Sequence, residues 1–330
     1  MLKTVLAGMG PLGCSMVRYF AGRKSVALVG AVDSDPEKAG LSAGELSGAE
    51  DFNNIIVEGD MRSALERLKP EAVILATVSS LEKLIPQVEL AASFKASIVS
   101  TCEELSFPWR TQPEYARKID GIAKKHGITV LGTGVNPGFL MDYLPSVMTG
   151  ICREVKSVRV FRVQDASSRR VSFRKKIGAG LSLREFEALK EKGVLRHVGL
   201  AESAHMLAEG AGWVLDRVDE TIEPVIAGSD IRLGDETIIR GAALGVQQKA
   251  SGYMAGNEVI TFLFRAAVGE NDPHDRIEIN GLPSFISTIP GGINGDIATC
   301  AVTVNAIKSA VSAPAGLRTM IDVPVVTCLP

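Results

Sequence analysis

An α/β fold is what this chain of 330 residues predicts: a doubly wound parallel sheet, then an α+β domain built on a mostly antiparallel open sheet. Three observations predict it. An apolar run, Val5-Leu6-Ala7, enters Gly8-x-Gly10-x-x-Gly13 and leaves it in a helical pattern of Met16, Val17, Tyr19 and Phe20. Short unbroken apolar runs such as Ala72-Val73-Ile74-Leu75-Ala76 then alternate with helical stretches, as strands buried on both faces require. After Gly134 the period changes to two, with Val158, Val160, Arg162 and Gln164 on one face, as a half-exposed sheet requires.

Strands are expected at residues 4–7, 25–32, 55–57, 72–77, 97–100 and 129–132, with helices at 12–21, 61–68, 81–93 and 113–126. Strand, glycine turn and helix in that order make a pyrophosphate site. Gly8 permits the tight turn, Gly10 lets the backbone approach the phosphates, and Gly13 lets the helix lie close to the strand. Pro11 and Leu12 complete the first helical turn. Asp33 ends the second strand about 20 residues beyond Gly13, the spacing of the acid that holds a ribose 2′-hydroxyl, and Ser34 stands beside it. The first domain, 1–138, is therefore read as a Rossmann domain. Thr77, Val78 and Ser79 follow its fourth strand and are expected to line the dinucleotide.

A second domain is expected over 139–295, with a helix at 140–148, strands at 157–164, 242–251, 258–267 and 276–280, and helices at 183–192 and 202–213. Gly291-Gly292-Ile293-Asn294-Gly295 then leads into a small-residue helix, 297–311, with Asp296 expected as its N-cap. Residues 296–330 are expected to return to the first domain, so that the two domains enclose a cleft.

Composition narrows the partners. A net charge of −2, 46% hydrophobic residues and no basic stripe exclude a nucleic-acid surface, and no apolar run reaches the length of a membrane span. Cys14, Cys102, Cys152, Cys300 and Cys328 are scattered, with no histidines at ligand spacing, which argues against a metal site and for reduced thiols in a cytoplasm. The chain begins directly with a strand, so no signal peptide is expected.

Chemistry is expected at Cys102-Glu103-Glu104, which follows a buried strand at the nicotinamide edge. Two adjacent carboxylates there serve as an acid–base group or as helix-start acids, and since neighbouring side chains point apart only one faces the cofactor. Asn136 and Pro137 follow the last strand and form either a turn or a contact to the nicotinamide carboxamide or substrate. Of four histidines, His197 in Arg196-His197-Val198-Gly199 is the one placed in the cleft.

Taken together, the glycine fingerprint, Ser100-Thr101-Cys102-Glu103-Glu104-Leu105, Gly132-Thr133-Gly134-Val135-Asn136-Pro137-Gly138-Phe139 and Gly291-Gly292-Ile293-Asn294-Gly295-Asp296 resemble the 2,4-diaminopentanoate dehydrogenases and related native amine dehydrogenases. Lys176-Ile177-Gly178-Ala179-Gly180-Leu181 and Arg196-His197-Val198-Gly199-Leu200 are similar too. The resemblance implies reversible oxidative deamination: amine, NAD(P)⁺ and water give ketone, ammonia and NAD(P)H. It implies a catalytic glutamate at Glu103 or Glu104, with Glu103, nearer the strand, preferred. For a substrate with a carboxylate, Arg162, Arg169 and Arg170 are candidate partners, with His197 beside them. NAD is favoured over NADP because Asp33 repels a 2′-phosphate, a preference that Arg23, Lys24 and Lys38 soften. A dihydrodipicolinate reductase-like enzyme is disfavoured by the missing histidine pair and following lysine. A diaminopimelate dehydrogenase-like enzyme and a non-catalytic redox sensor stay compatible with the same residues. An open sheet with one apolar face suggests a homodimer.

Overall fold

The computed structural model describes residues 1–169, 171–195, 197–234 and 236–330. In chain order the first elements are β1 (Leu2–Ala7), α1 (Pro11–Val17), β2 (Val26–Val32), α2 (Ala43–Ser47), β3 (Val57–Glu58), α3 (Met61–Leu68) and β4 (Ala72–Leu75). There follow α4 (Leu81–Ser93), β5 (Ser97–Ser100), α5 (Pro108–Thr111), α6 (Pro113–His126) and β6 (Thr129–Gly132). Next come α7 (Tyr143–Thr149), β7 (Glu154–Asp165), α8 (Val171–Lys176), α9 (Leu183–Glu191), α10 (Leu200–Gly210) and β8 (Arg217–Ile226). The chain continues through β9 (Ile231–Leu233), β10 (Glu236–Ile238), β11 (Ala243–Met254), β12 (Asn257–Ala267), β13 (His274–Leu282) and β14 (Phe285–Pro290). It ends with α11 (Gly295–Ser312) and β15 (Gly316–Arg318).

One compact unit comprises residues 1–139 and 294–330. Its sheet is parallel throughout, in the order β15-β6-β5-β4-β1-β2-β3. The order reverses between β1 and β4, and a doubly wound sheet opens its ligand crevice at that switch point. Every residue of β4, β5 and β6 is buried, which is why these strands read as plain apolar runs. Helix stops are local: Gly127 ends α6 in the left-handed region at φ 69°, directly after the basic last turn of Lys124, Lys125 and His126.

The second unit spans residues 140–293 and carries a six-stranded sheet in the order β14-β13-β7-β12-β11-β8, plus the β9–β10 hairpin. Four of its five pairings are antiparallel, while β12 and β7 run parallel. The stripe Val158, Val160, Arg162 and Gln164 is the buried face. Val158 and Val160 pack with Phe262, Phe264, Ile277 and Ile279 of neighbouring strands and with Phe186, Leu200 and Leu207 of the helices. Asp296 is not the cap of α11. The helix begins at Gly295, so Asn294, in extended backbone, takes that place, and its Oδ1 accepts the N–H groups of Asp296 (3.0 Å) and Ile297 (3.2 Å).

Candidate active site

The glycine turn after β1 shows why each glycine stands where it does. Gly8 has φ 97°, and a Cβ there would overlap the Ala76 carbonyl. A Cβ on Gly13 would overlap the Gly8 carbonyl, so this glycine serves the packing of α1 under the turn. Gly10 is different, since nothing in the chain occupies the space in front of its Cα. Packing does not demand glycine there, and the open space leaves the backbone accessible from the cleft. Gly8 and Gly10 line a cleft of about 590 Å³ together with Asp33, Ser34, Thr77 and Val78. Met61, Pro86 and Leu90 supply an apolar surface to the same cleft.

Asp33 is bound into this turn. Its Oδ2 accepts the Met9 N–H at 2.7 Å, its Oδ1 accepts the Asp35 N–H at 2.9 Å, and Lys38 Nζ lies 3.2 Å from Oδ2. Burial opposes its charge, but the two N–H groups and the ammonium outweigh burial and hold its carboxyl below the usual aspartate value. An ionised acid with lone pairs to spare suits a ribose diol. The expected residues Pro11, Leu12, Gly13, Ser79 and Cys102 do not line the cleft. Burial pushes the Cys102 thiol up to about 12, so it is no thiolate.

At the ends of β5 and β6 the two glutamates divide. Glu104 Oε2 accepts the Leu81 N–H at 2.8 Å and so caps α4. Half-buried Glu103 has no side-chain hydrogen bond among the described residues. Gly132, ending the adjacent β6, has no room for a Cβ because the backbone of Leu105 and Ser106 lies against it, which ties the two strand ends together. The loop beyond β6 folds on itself, with Gly138 pressed against Gly134 and the Val135 N–H donated to Thr299 Oγ1 at 3.2 Å. Within it Asn136 is 8% exposed, and neither its Oδ1 nor its Nδ2 has a hydrogen-bond partner among the described residues. A buried amide unpaired at both ends is expensive, and a carboxamide ligand offers the matching donor and acceptor. Pro137 is buried in the same loop.

In the second unit the arginine candidates separate. Arg162, expected to receive a substrate carboxylate, is 2% exposed and already committed. Its Nη1 lies 3.2 Å from Asp275 Oδ1 and its Nη2 donates to the Ile293 carbonyl at 3.0 Å. It is an internal ion-pair residue, with donors on both Nη atoms spent on an acid and a main-chain carbonyl of its own chain. Arg169 is buried with its guanidinium 4.2 Å over the Phe173 ring. Arg170 lies outside the described residues. The His197 ring stacks on Phe264 at 4.5 Å between centroids.

The profile of the 2,4-diaminopentanoate dehydrogenase C-terminal domain matches residues 139–330. The 2,4-diaminopentanoate dehydrogenase of Acetoanaerobium sticklandii is 30% identical, over 98% of this chain and 94% of that protein. The chain belongs to the 2,4-diaminopentanoate dehydrogenase family. It is thereby an oxidoreductase of the class that acts on CH–NH₂ with a nicotinamide dinucleotide. An amine dehydrogenase of Streptomyces virginiae is 22% identical over 98% of the chain and 96% of its own length. Among solved structures, the amine dehydrogenase of Mycobacterium smegmatis shares the fold at a TM-score of 0.85, with 22% identity over 99% of this chain and 97% of that one. A dihydrodipicolinate reductase from Paenisporosarcina sp. TG-14 shares it more loosely, at a TM-score of 0.52 and 13% identity over 97% of each chain.

Two residues of this family member escape a reading by motif. Gln248, fully buried on β11, accepts the His197 N–H at 2.7 Å and donates to the His197 carbonyl (3.1 Å) and to Glu220 (2.6 Å), so it fixes the backbone that carries His197. Strand parity places Gln248 on the same face as Val246 and Ala250, a signal that an amide sits in an apolar row. Asp275 stands directly opposite Arg162 across β13 and β7, a pairing set by register alone.

Proposed function

We propose that the protein oxidises 2,4-diaminopentanoate at C4, giving 2-amino-4-oxopentanoate, ammonium and NAD(P)H, reversibly. The division of labour between the two glutamates carries this reading: Glu104 is spent on the α4 cap, which leaves Glu103 for chemistry. The dinucleotide supplies the hydride acceptor. Glu103 accepts a proton from the substrate ammonium, so that the free amine can release hydride from its carbon. After passing that proton to solvent, its carboxylate stabilises the iminium, takes a proton from the attacking water, and returns it to the nitrogen as ammonia leaves. Asn136 holds the nicotinamide carboxamide, and Asp33 holds the adenosine ribose, which favours NAD over NADP.

The substrate class is tested by comparing 2,4-diaminopentanoate with 2-aminopentane as amine donor. A charge-assisted carboxylate contact makes kcat/KM larger for the diamino acid by about 10–100-fold. Equal values would make this a dehydrogenase of simple amines, and turnover of neither would remove the reading. The Asn136 assignment has its own signature. Asn136→Ala breaks no side-chain hydrogen bond among the described residues, so the ligand-free protein keeps its thermal midpoint while NADH binding, read by titration calorimetry, weakens about 10-fold. Unchanged NADH affinity contradicts it.

We infer a homodimer, a reading that the open face of the second sheet supports. Arg276, Phe161, Leu263 and Lys249 form one cross-strand row on the face opposite the buried stripe, Thr288 of β14 continues it, and Ile286 is exposed on the same face. All five cysteines are free, in keeping with a cytoplasmic location, and no helix among the described residues is long and apolar enough to cross a membrane.

A further inference from the structure

Lys38 is the one cation among the described residues that line the dinucleotide cleft. A built turn puts it there. Beyond the Asp33–Asp35 bond, the Glu37 N–H is donated to Asp35 Oδ1 at 3.0 Å, and the Lys38 N–H to the Asp35 carbonyl at 3.0 Å. These bonds curl residues 33–38 so that Lys38 Nζ comes within 3.2 Å of both Asp33 Oδ2 and Asp35 Oδ2. Two arginines near this end are engaged elsewhere. Arg18 donates to the Ser47 carbonyl, and Arg23 to the carbonyls of Tyr19 and Leu329; neither lines the cleft.

We propose that Lys38 is the specificity-determining residue for the adenosine ribose: it neutralises Asp33 over a free 2′-hydroxyl and turns its ammonium to the phosphoryl oxygens of a 2′-phosphate. The inference rests on the dinucleotide reading above. An ammonium has three donors on a flexible stem, so it can keep Asp35 with one and offer another to phosphate. Asp33 without this counter-charge would face a 2′-phosphate of about −1.5 to −2 charge, and the repulsion would exclude NADP. With Lys38 in place the protein binds both dinucleotides, NAD(H) the more tightly. Lys38, and neither Arg23 nor Lys24, carries the tolerance.

The test is equilibrium binding of NADH and of NADPH, read by the fluorescence of the reduced nicotinamide, for the full chain and for Lys38→Met. Methionine keeps the length and apolar stem but removes the charge. The expected result is an NADPH Kd raised about 10-fold in the variant, with the NADH Kd moved less than about 2-fold, and with Lys38→Arg restoring NADPH binding. The NADPH preference of the full chain over Lys38→Met shrinks as salt rises. Equal effects on both ligands, or none on NADPH, overturn the role of Lys38. A full chain that binds NADH but not NADPH also overturns it and leaves the dinucleotide reading standing. Binding of neither removes both.

Discussion

Glu103→Gln lowers turnover by about 10²–10⁴-fold and leaves NADH affinity nearly unchanged. Glutamine keeps the shape and one acceptor but cannot take a proton, and three moments of the proposed reaction need that proton moved. Glu104→Gln behaves differently. Its carboxylate accepts the first N–H of α4; glutamine keeps an acceptor there but loses the charge that a helix N-terminus favours, so the variant loses about 0.3–1 kcal/mol of stability with kcat retained. Steady-state rates and urea unfolding of the two variants separate the roles. Loss of turnover in Glu104→Gln with Glu103→Gln active reverses the assignment.

The largest stability effect is expected at Arg162 and Asp275. Burial pushes Arg162 below its ordinary value, against the pull of Asp275, and pushes Asp275 above its own, against the pull of Arg162. Both charges are therefore held at the expense of desolvation. What they hold is one residue: the Ile293 N–H is donated to Asp275 Oδ2 at 2.7 Å, and the Ile293 carbonyl accepts from Arg162 and from Gln164 Nε2 at 2.9 Å. Removing either partner leaves the other charge buried and alone, so Arg162→Met and Asp275→Leu each lose about 3–5 kcal/mol in urea unfolding. The double variant loses less than the sum, with a coupling of about 0.5–3 kcal/mol. A stable Arg162→Met whose KM for 2,4-diaminopentanoate rises would instead return Arg162 to the substrate.

The parallel sheet was legible because strands buried on both faces leave apolar runs, and β4, β5 and β6 are buried throughout. The short β15 carries too few residues for a period, and β8 is largely exposed, so Arg217–Ile226 reads as polar chain. Parity put Arg162 on the stripe with Val158 and Val160, but period two says which residues share a face and not whether that face is buried. The partner that decides, Asp275, lies far along the chain. The glutamate pair shows the same limit. That one of them faces the cofactor follows from adjacent residues pointing apart, whereas the commitment of Glu104 depends on an N–H at Leu81 that only the fold brings near. The sequence points to Asp296 as the N-cap of α11, whereas the backbone turns helical two residues earlier and puts Asn294 there.

Deuterium placed at C4 of 2,4-diaminopentanoate offers the most direct test of amine oxidation by this chain. Incubated with NAD⁺ and the protein, it is expected at C4 of the nicotinamide ring, with 2-amino-4-oxopentanoate and ammonium formed in equal amount by mass spectrometry. NADH lacking the label, or no 2-amino-4-oxopentanoate while NAD⁺ stays bound, would contradict the account.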